Sequence, residues 1–244
     1  MPKQIFILIL SMAGGLCQSV TGFGSAIIMM TLMPELLPIH IAAGVTTIIC
    51  CPLGIYITYY YREALNLKRV LLPVILFSLS SWFAVQAAAD FNMDKLKALF
   101  GALLIFLSIY FFCFSDRISV KPSVFSAVVC STLAGVMGGL FAVGGPLLVL
   151  YYLAVTDSKE EYMACVNVTL FLTNLSQTWA RVSTGILSTG EISAIYFGVV
   201  GITIGFFIGN KISSRINKTR LKKLVYTFLA VTGVITLFTS IRAF

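Results

Sequence analysis

The sequence predicts an all-α polytopic membrane protein of about eight hydrophobic segments in two homologous halves, an N-terminal repeat over 1–120 and a C-terminal repeat over 121–244, read as inverted repeats with glycine-broken helices. Three observations predict it. The chain is 59% hydrophobic and only 11% charged, with a mean hydropathy of +0.98, whereas soluble domains carry about 25% charged residues. Apolar runs long enough to cross a bilayer, which needs roughly 20 residues, recur along the whole chain with short intervals between them. A glycine-rich pattern inside the first run returns near residue 135.

The first run, about 5–33, has no charged residue, yet its centre reads Gly14-Gly15-Leu16-Cys17-Gln18-Ser19-Val20-Thr21-Gly22-Phe23-Gly24-Ser25. With one lysine, Lys3, before it and no small-residue cleavage pattern after it, it reads as a first membrane segment rather than a signal peptide. Runs follow at about 41–61, 70–89, 96–114, 123–155, 162–183, 192–210 and 224–241. As straight helices the first and fifth would overrun the hydrocarbon layer by roughly 10 Å. Both hold internal glycines, which favours a broken or re-entrant segment over one long tilted helix. Backbone freed in this way must be satisfied by protein or by a water-lined cavity.

The intervals fit the same architecture. Pro34 and Pro38 stop the first run, Arg62 to Arg69 forms a basic loop, and Lys211 to Lys223 is the most basic interval. The run after Asn217 is expected on the cytoplasmic face, because cytoplasmic loops are rich in Lys and Arg. The net charge of +8 follows from this loop bias, so nucleic acid is not an expected partner. The six cysteines all fall in apolar segments without CxxC spacing, which makes them small packing residues rather than disulfides or metal ligands. No Ser/His, HExxH or paired-carboxylate constellation is present, so an enzyme, a metal and a cofactor are not expected.

The halves align at a spacing of 121 residues: Ala13-Gly14 on Ala134-Gly135, Phe23-Gly24 on Gly144-Gly145, Ala43 on Ala164 and Val45 on Val166. At a slightly longer offset Asn92 falls on Asn217 and Lys95-Leu96-Lys97 on Arg220-Leu221-Lys222. The loop after the second segment is basic, its counterpart Thr184 to Glu191 is not, and the next loop is. Basic loops that change places favour inverted repeats over a parallel four-plus-four arrangement. Inversion needs an odd number of crossings per half, so each long glycine-bearing segment would cross twice or fold back.

The stretch from Ala13-Gly14 through Thr21-Gly22-Phe23-Gly24 to Pro34, paired with Gly135-Val136-Met137-Gly138-Gly139-Leu140-Phe141-Ala142-Val143-Gly144-Gly145-Pro146, resembles the sulfite exporter TauE/SafE family of membrane transporters. The resemblance covers nearly the whole chain. It implies a carrier in the bacterial inner membrane for sulfite, an organosulfonate or a related sulfur-containing anion, with export the expected direction.

The residues themselves point to an anion site. A helix starting after Gly22 and Gly24, or after Gly144 and Gly145, would aim unpaired N–H groups and its positive end at an anion, and Pro146 suits a first helical turn. Gln18, Thr21, Phe23, Ser25 and Thr47 supply polar or stacking groups in the first half. Asn167, Asn174 and Gln177, spaced by seven and three, share a helical face, and Arg181 follows one turn on with a guanidinium suited to a sulfonate or carboxylate. Each also has a plainer use, in helix packing, in bonding to helix carbonyls, or, for Arg181, in snorkelling to the interface. His40 reads as a loop bystander. The expected function is secondary transport of a small anion by alternating access at a midplane site. An anion-selective channel or a carrier of another small organic acid are the alternatives. Expected partners are that anion and the lipid bilayer, with a coupling proton or ion and a homodimer left open.

Overall fold

The structure is a computed structural model and describes residues 3–114, 122–212, 227 and 230–238. Among these there is no strand. The helices are α1 (Lys3–Thr21), α2 (Ser25–Leu32), α3 (Ile39–Tyr60), α4 (Leu67–Asp90), α5 (Met93–Phe114), α6 (Val124–Phe141), α7 (Gly145–Val155), α8 (Lys159–Ser183) and α9 (Ile192–Ile212), with a last helical stretch at 230–238. Among the described residues four spans are long and apolar enough to cross a membrane: Ile39–Tyr60, Leu67–Ala88, Val124–Phe141 and Thr189–Ile212. Large side chains such as Leu71, Leu79, Phe83 and Phe125 stay exposed, as a surface solvated by lipid requires.

Both over-long runs are broken. α1 stops at Thr21, and Gly22 (φ 82°) and Gly24 (φ 99°) take the left-handed region before α2 begins, where a side chain would be strained. The Thr21 hydroxyl lies 2.9 Å from the Cys17 carbonyl and 2.6 Å from that of Phe23, holding the turn. α6 ends in a left-handed Ala142 (φ 59°) whose N–H bonds to the Gly138 carbonyl at 2.8 Å, and Pro146 occupies the first turn of α7. Each short helix then returns along the longer one. A Cβ on Gly14 would lie 3.0 Å from the Ser25 carbonyl and 3.3 Å from Met29, and one on Gly144 would lie 2.5 Å from the Ala134 carbonyl. The two segments are therefore helical hairpins.

Helices in lipid gain little from apolar burial against one another, so close contact depends on small residues. α1 meets α9 in this way: a Cβ on Gly15 would lie 2.1 Å from the Ile202 carbonyl, and one on Gly205 would lie 1.9 Å from the Met12 carbonyl. α4 meets α6 likewise, with Gly135 against Phe77 and Ser80, and Gly101 of α5 abuts Gly233 of the last helical stretch. α3 packs on α8. One core joins α1, α2, α3 and α5 with Ile202 and Phe206 of α9, and takes in Ala88 of α4 and Phe141 to Val143 at the end of α6. The other joins α6, α7 and α8 with Val70 and Phe77 of α4. Phe23 packs against both.

The loops gather at two ends. At one, Arg69 of α4 pairs with Asp157 (2.9 Å) and Glu161 (3.1 Å) at the start of α8. At the other, Leu187 lies against Gly44. There too the ring of His40, half-buried in the first turn of α3 rather than in a loop, sits 3.1 Å from the Met93 sulfur. Lys211 belongs to the first end, since its neighbour in sequence, Asn210, shares a pocket with Tyr60 and Tyr61. The basic interval beyond it, including the run after Asn217, lies outside the described residues, as do the residues that Asn92 and Lys95–Lys97 match.

Candidate functional site

The two breaks meet. A Cβ on Gly145 at the start of α7 would lie 3.8 Å from the ring of Phe23, so the turn of one hairpin touches the helix start of the other. Beside this contact is a cavity of about 40 Å³, room for a few waters or one small ion by the ~10–15 Å³ that a single water needs. Its walls come from five helices and both breaks. Gln18 is near the end of α1, Gly24 to Ile27 form the start of α2, and Cys50 and Gly54 sit midway along α3. Ala142, Val143 and Gly145 come from the second break, and Asn167, Leu170, Phe171 and Asn174 from α8.

Four side chains form one polar chain across the cavity. The Asn167 amide donates to the Met163 carbonyl at 2.9 Å and its oxygen accepts from Gln18 at 3.4 Å. The Gln18 oxygen accepts from the Ser25 hydroxyl, which lies 3.3 Å from the Cys50 sulfur. All four are buried, so their hydrogen bonds lie in a low-dielectric setting where an unmet partner is costly. Asn174 lines the cavity with no hydrogen-bond partner among the described residues. No charged side chain is in the wall. Ser25 and Ala26 open α2 after a Gly24 that offers no side-chain cap, and α7 likewise starts without one. The first N–H groups of both helices therefore have no partner within their own helix.

Of the residues expected to bind, Gln18, Gly24, Ser25, Gly145, Asn167 and Asn174 are brought together in this wall. Thr21, Gly22, Phe23, Gly144 and Pro146 build the breaks without lining the cavity. Gly22 lies against Met163, and Gly144 against Ala134 and the Phe77 ring. The Thr47 hydroxyl turns to the Gly44 carbonyl of its own helix at 2.7 Å. The shared face of α8 divides: Gln177 points away from the cavity and accepts from Arg181 at 3.3 Å. Arg181, 1% exposed, does not snorkel; it donates to the Gly139 carbonyl at 2.7 Å and the Gly138 carbonyl at 3.3 Å.

Ala26, Ile27, Cys50, Gly54, Ala142, Val143, Leu170 and Phe171 also line the wall and were not expected there. The repeat carried a signal for two of them, since Cys50 plus 121 is Phe171 and both line the wall. The others are apolar or small, and in apolar helices such residues carry no signal of their own.

The family model described as Sulfite exporter TauE/SafE matches residues 7–236. No curated protein and no solved structure matches the chain.

Proposed function

The chain belongs to the sulfite exporter TauE/SafE family, whose members are multi-pass membrane transporters, and we propose that it exports a small sulfur-containing anion, sulfite or an organosulfonate, across a bacterial inner membrane by alternating access. The observation that carries this is the convergence of two uncapped helix starts, one from each half of the sequence, on a single neutral cavity. Broken helices whose N-termini face a midplane cavity suit an anion without a buried lysine. In this reading the N–H groups at the starts of α2 and α7 hold the oxygens of the anion. Gln18 and Asn174 donate the remaining hydrogen bonds, while Ser25 and Asn167 hold the Gln18 amide from either side. Leu170, Phe171 and Val143 form the apolar side of the wall.

The two halves act as inverted repeats. Packing supports this: α1 on α9 is matched by α6 on α4, α3 on α9 by α8 on α4, and α3 meets α8. With each hairpin folding back, this reading has α3, α4 and α5 cross in the first half and α8, α9 and the helix that includes 230–238 cross in the second, the odd number that inversion needs. The basic residues Arg62, Lys68, Arg69 and Lys211 share one end, which makes it the cytoplasmic end.

Anion binding to the purified protein tests the site. A ligand at a hundredfold excess over its Kd stabilises the native state by about 2.7 kcal/mol. Sulfite or methanesulfonate should raise the melting temperature, and choline or potassium should not. No response to any sulfur oxyanion, sulfonate or carboxylate would remove the basis for an anion carrier.

A further inference from the structure

Arg181 is the largest fully buried side chain among the described residues, and no carboxylate pairs with it there: the ion pairs are Arg62–Glu63, Arg69–Asp157 and Arg69–Glu161. A cation so placed in a membrane protein is costly and calls for a use. Its acceptors are the carbonyls of Gly138 and Gly139, in the last turn of α6, and the Gln177 amide oxygen. The last carbonyls of a helix carry the negative end of its dipole, equivalent to about half an elementary charge. Here that end runs straight into Ala142 and Val143, which line the cavity.

At the second break, then, the negative end of α6 and the positive end of α7 are separated by only Ala142, Val143 and Gly144. Left alone they would largely cancel at the cavity. The guanidinium lies on the negative end and leaves the start of α7 unopposed. Among the described residues the first break has no such cation. The Cys17 and Gln18 carbonyls at the end of α1 are met by the Thr21 hydroxyl at 2.9 Å and the Gly22 N–H at 2.8 Å, both neutral, and Arg181 minus 121 is Tyr60. Among the described residues, the one formal positive charge beside the cavity therefore sits on a residue that does not line it. The backbone of Arg181 is fixed as well, its carbonyl accepting from Ile186 at 2.9 Å and Leu187 at 3.2 Å, so the charge cannot easily leave its place.

We propose that Arg181 is a positioning residue for the anion site, acting through the terminal carbonyls of α6 and without touching the anion. This rests on the anion-site reading above. The test compares wild type with Arg181→Met, Arg181→Lys and Gln177→Glu. It measures the Kd for sulfite and for methanesulfonate, and separately the melting temperature without anion. Gln177→Glu keeps the shape and the bond to Arg181 while cancelling its charge, so it serves if Arg181→Met does not fold. Arg181→Met and Gln177→Glu should each weaken binding at least tenfold, and Arg181→Lys should stay within about threefold of wild type. Folded Arg181→Met or Gln177→Glu with wild-type affinity would overturn the proposal and leave Arg181 a structural cap. Folded Arg181→Lys as weak as Arg181→Met would overturn it too, in favour of direct guanidinium contact. Failure of wild type to bind either anion would remove the site reading itself.

Discussion

Adjacent glycines at the second break do different work, and the difference can be measured one residue at a time. Gly144 is pressed between the Ala134 carbonyl and the Phe77 ring, where a Cβ would find atoms at 2.5 Å. Gly145 has room, its added Cβ meeting only Phe23 at 3.8 Å, and it lines the cavity. Gly144→Ala should therefore cost about 1–3 kcal/mol through overpacking and lower the yield of folded protein. Gly145→Ala should leave the melting temperature within about 2 °C, a change worth under about 1 kcal/mol, yet place a methyl where the anion sits and cut transport at least tenfold. Equal effects of the two on stability would mean that Gly145 is a packing residue. Across the same cavity the Gln18–Asn167 hydrogen bond at 3.4 Å predicts a coupling of about 0.5–1.5 kcal/mol in a double-mutant cycle of anion affinity. Additive losses would show that the two amides act independently.

At the scale of elements, α1 and α9 are held by backbone contact rather than by large side chains. Gly205→Leu would drive a branched side chain into the Met12 carbonyl, 1.9 Å from the Cβ position. It should abolish a monodisperse species on size-exclusion chromatography, whereas Leu at the exposed Ile204 position should be tolerated. Recovery of folded Gly205→Leu would mean that this crossing is not tight. The breaks were legible in the sequence because their causes are local: glycine at positive φ, proline in a first turn, and runs too long for one crossing. Gln18, Ser25, Asn167 and Asn174 were legible for a related reason, as polar groups in apolar helices. The direction in which α2 and α7 turn back was not, since it depends on Gly14 meeting Ser25 and Gly144 meeting Ala134 across the hairpins. Nor was the fate of Gln177 and Arg181: helical spacing puts them on the face of Asn174, but the end of α6 takes them out of the cavity.

For the whole molecule, the two cores do not follow the sequence halves. α9 packs with α1, α2 and α3, and α4 mainly with α6, α7 and α8, so under the proposed alternating access each moving body would contain a helix from the other half. Arg69 and its partners Asp157 and Glu161 then lie within one body, and Arg69→Gln should lower stability by about 1 kcal/mol or less, as a partly exposed pair would, while leaving the transport rate within about twofold. Orientation is testable in cells. A cysteine at Glu191 should react with an impermeant thiol reagent from outside, and one at Lys68 only after permeabilisation; the reverse would invert the topology. In the proposed function a small anion is carried through the cavity where the breaks meet. Counterflow in proteoliposomes tests it most directly, with labelled sulfite or methanesulfonate outside and the unlabelled anion inside. Saturable uptake, stimulated by the internal anion and lost in Gly145→Ala, is expected. Flux no greater than in empty liposomes, or undiminished counterflow in Gly145→Ala, would contradict it.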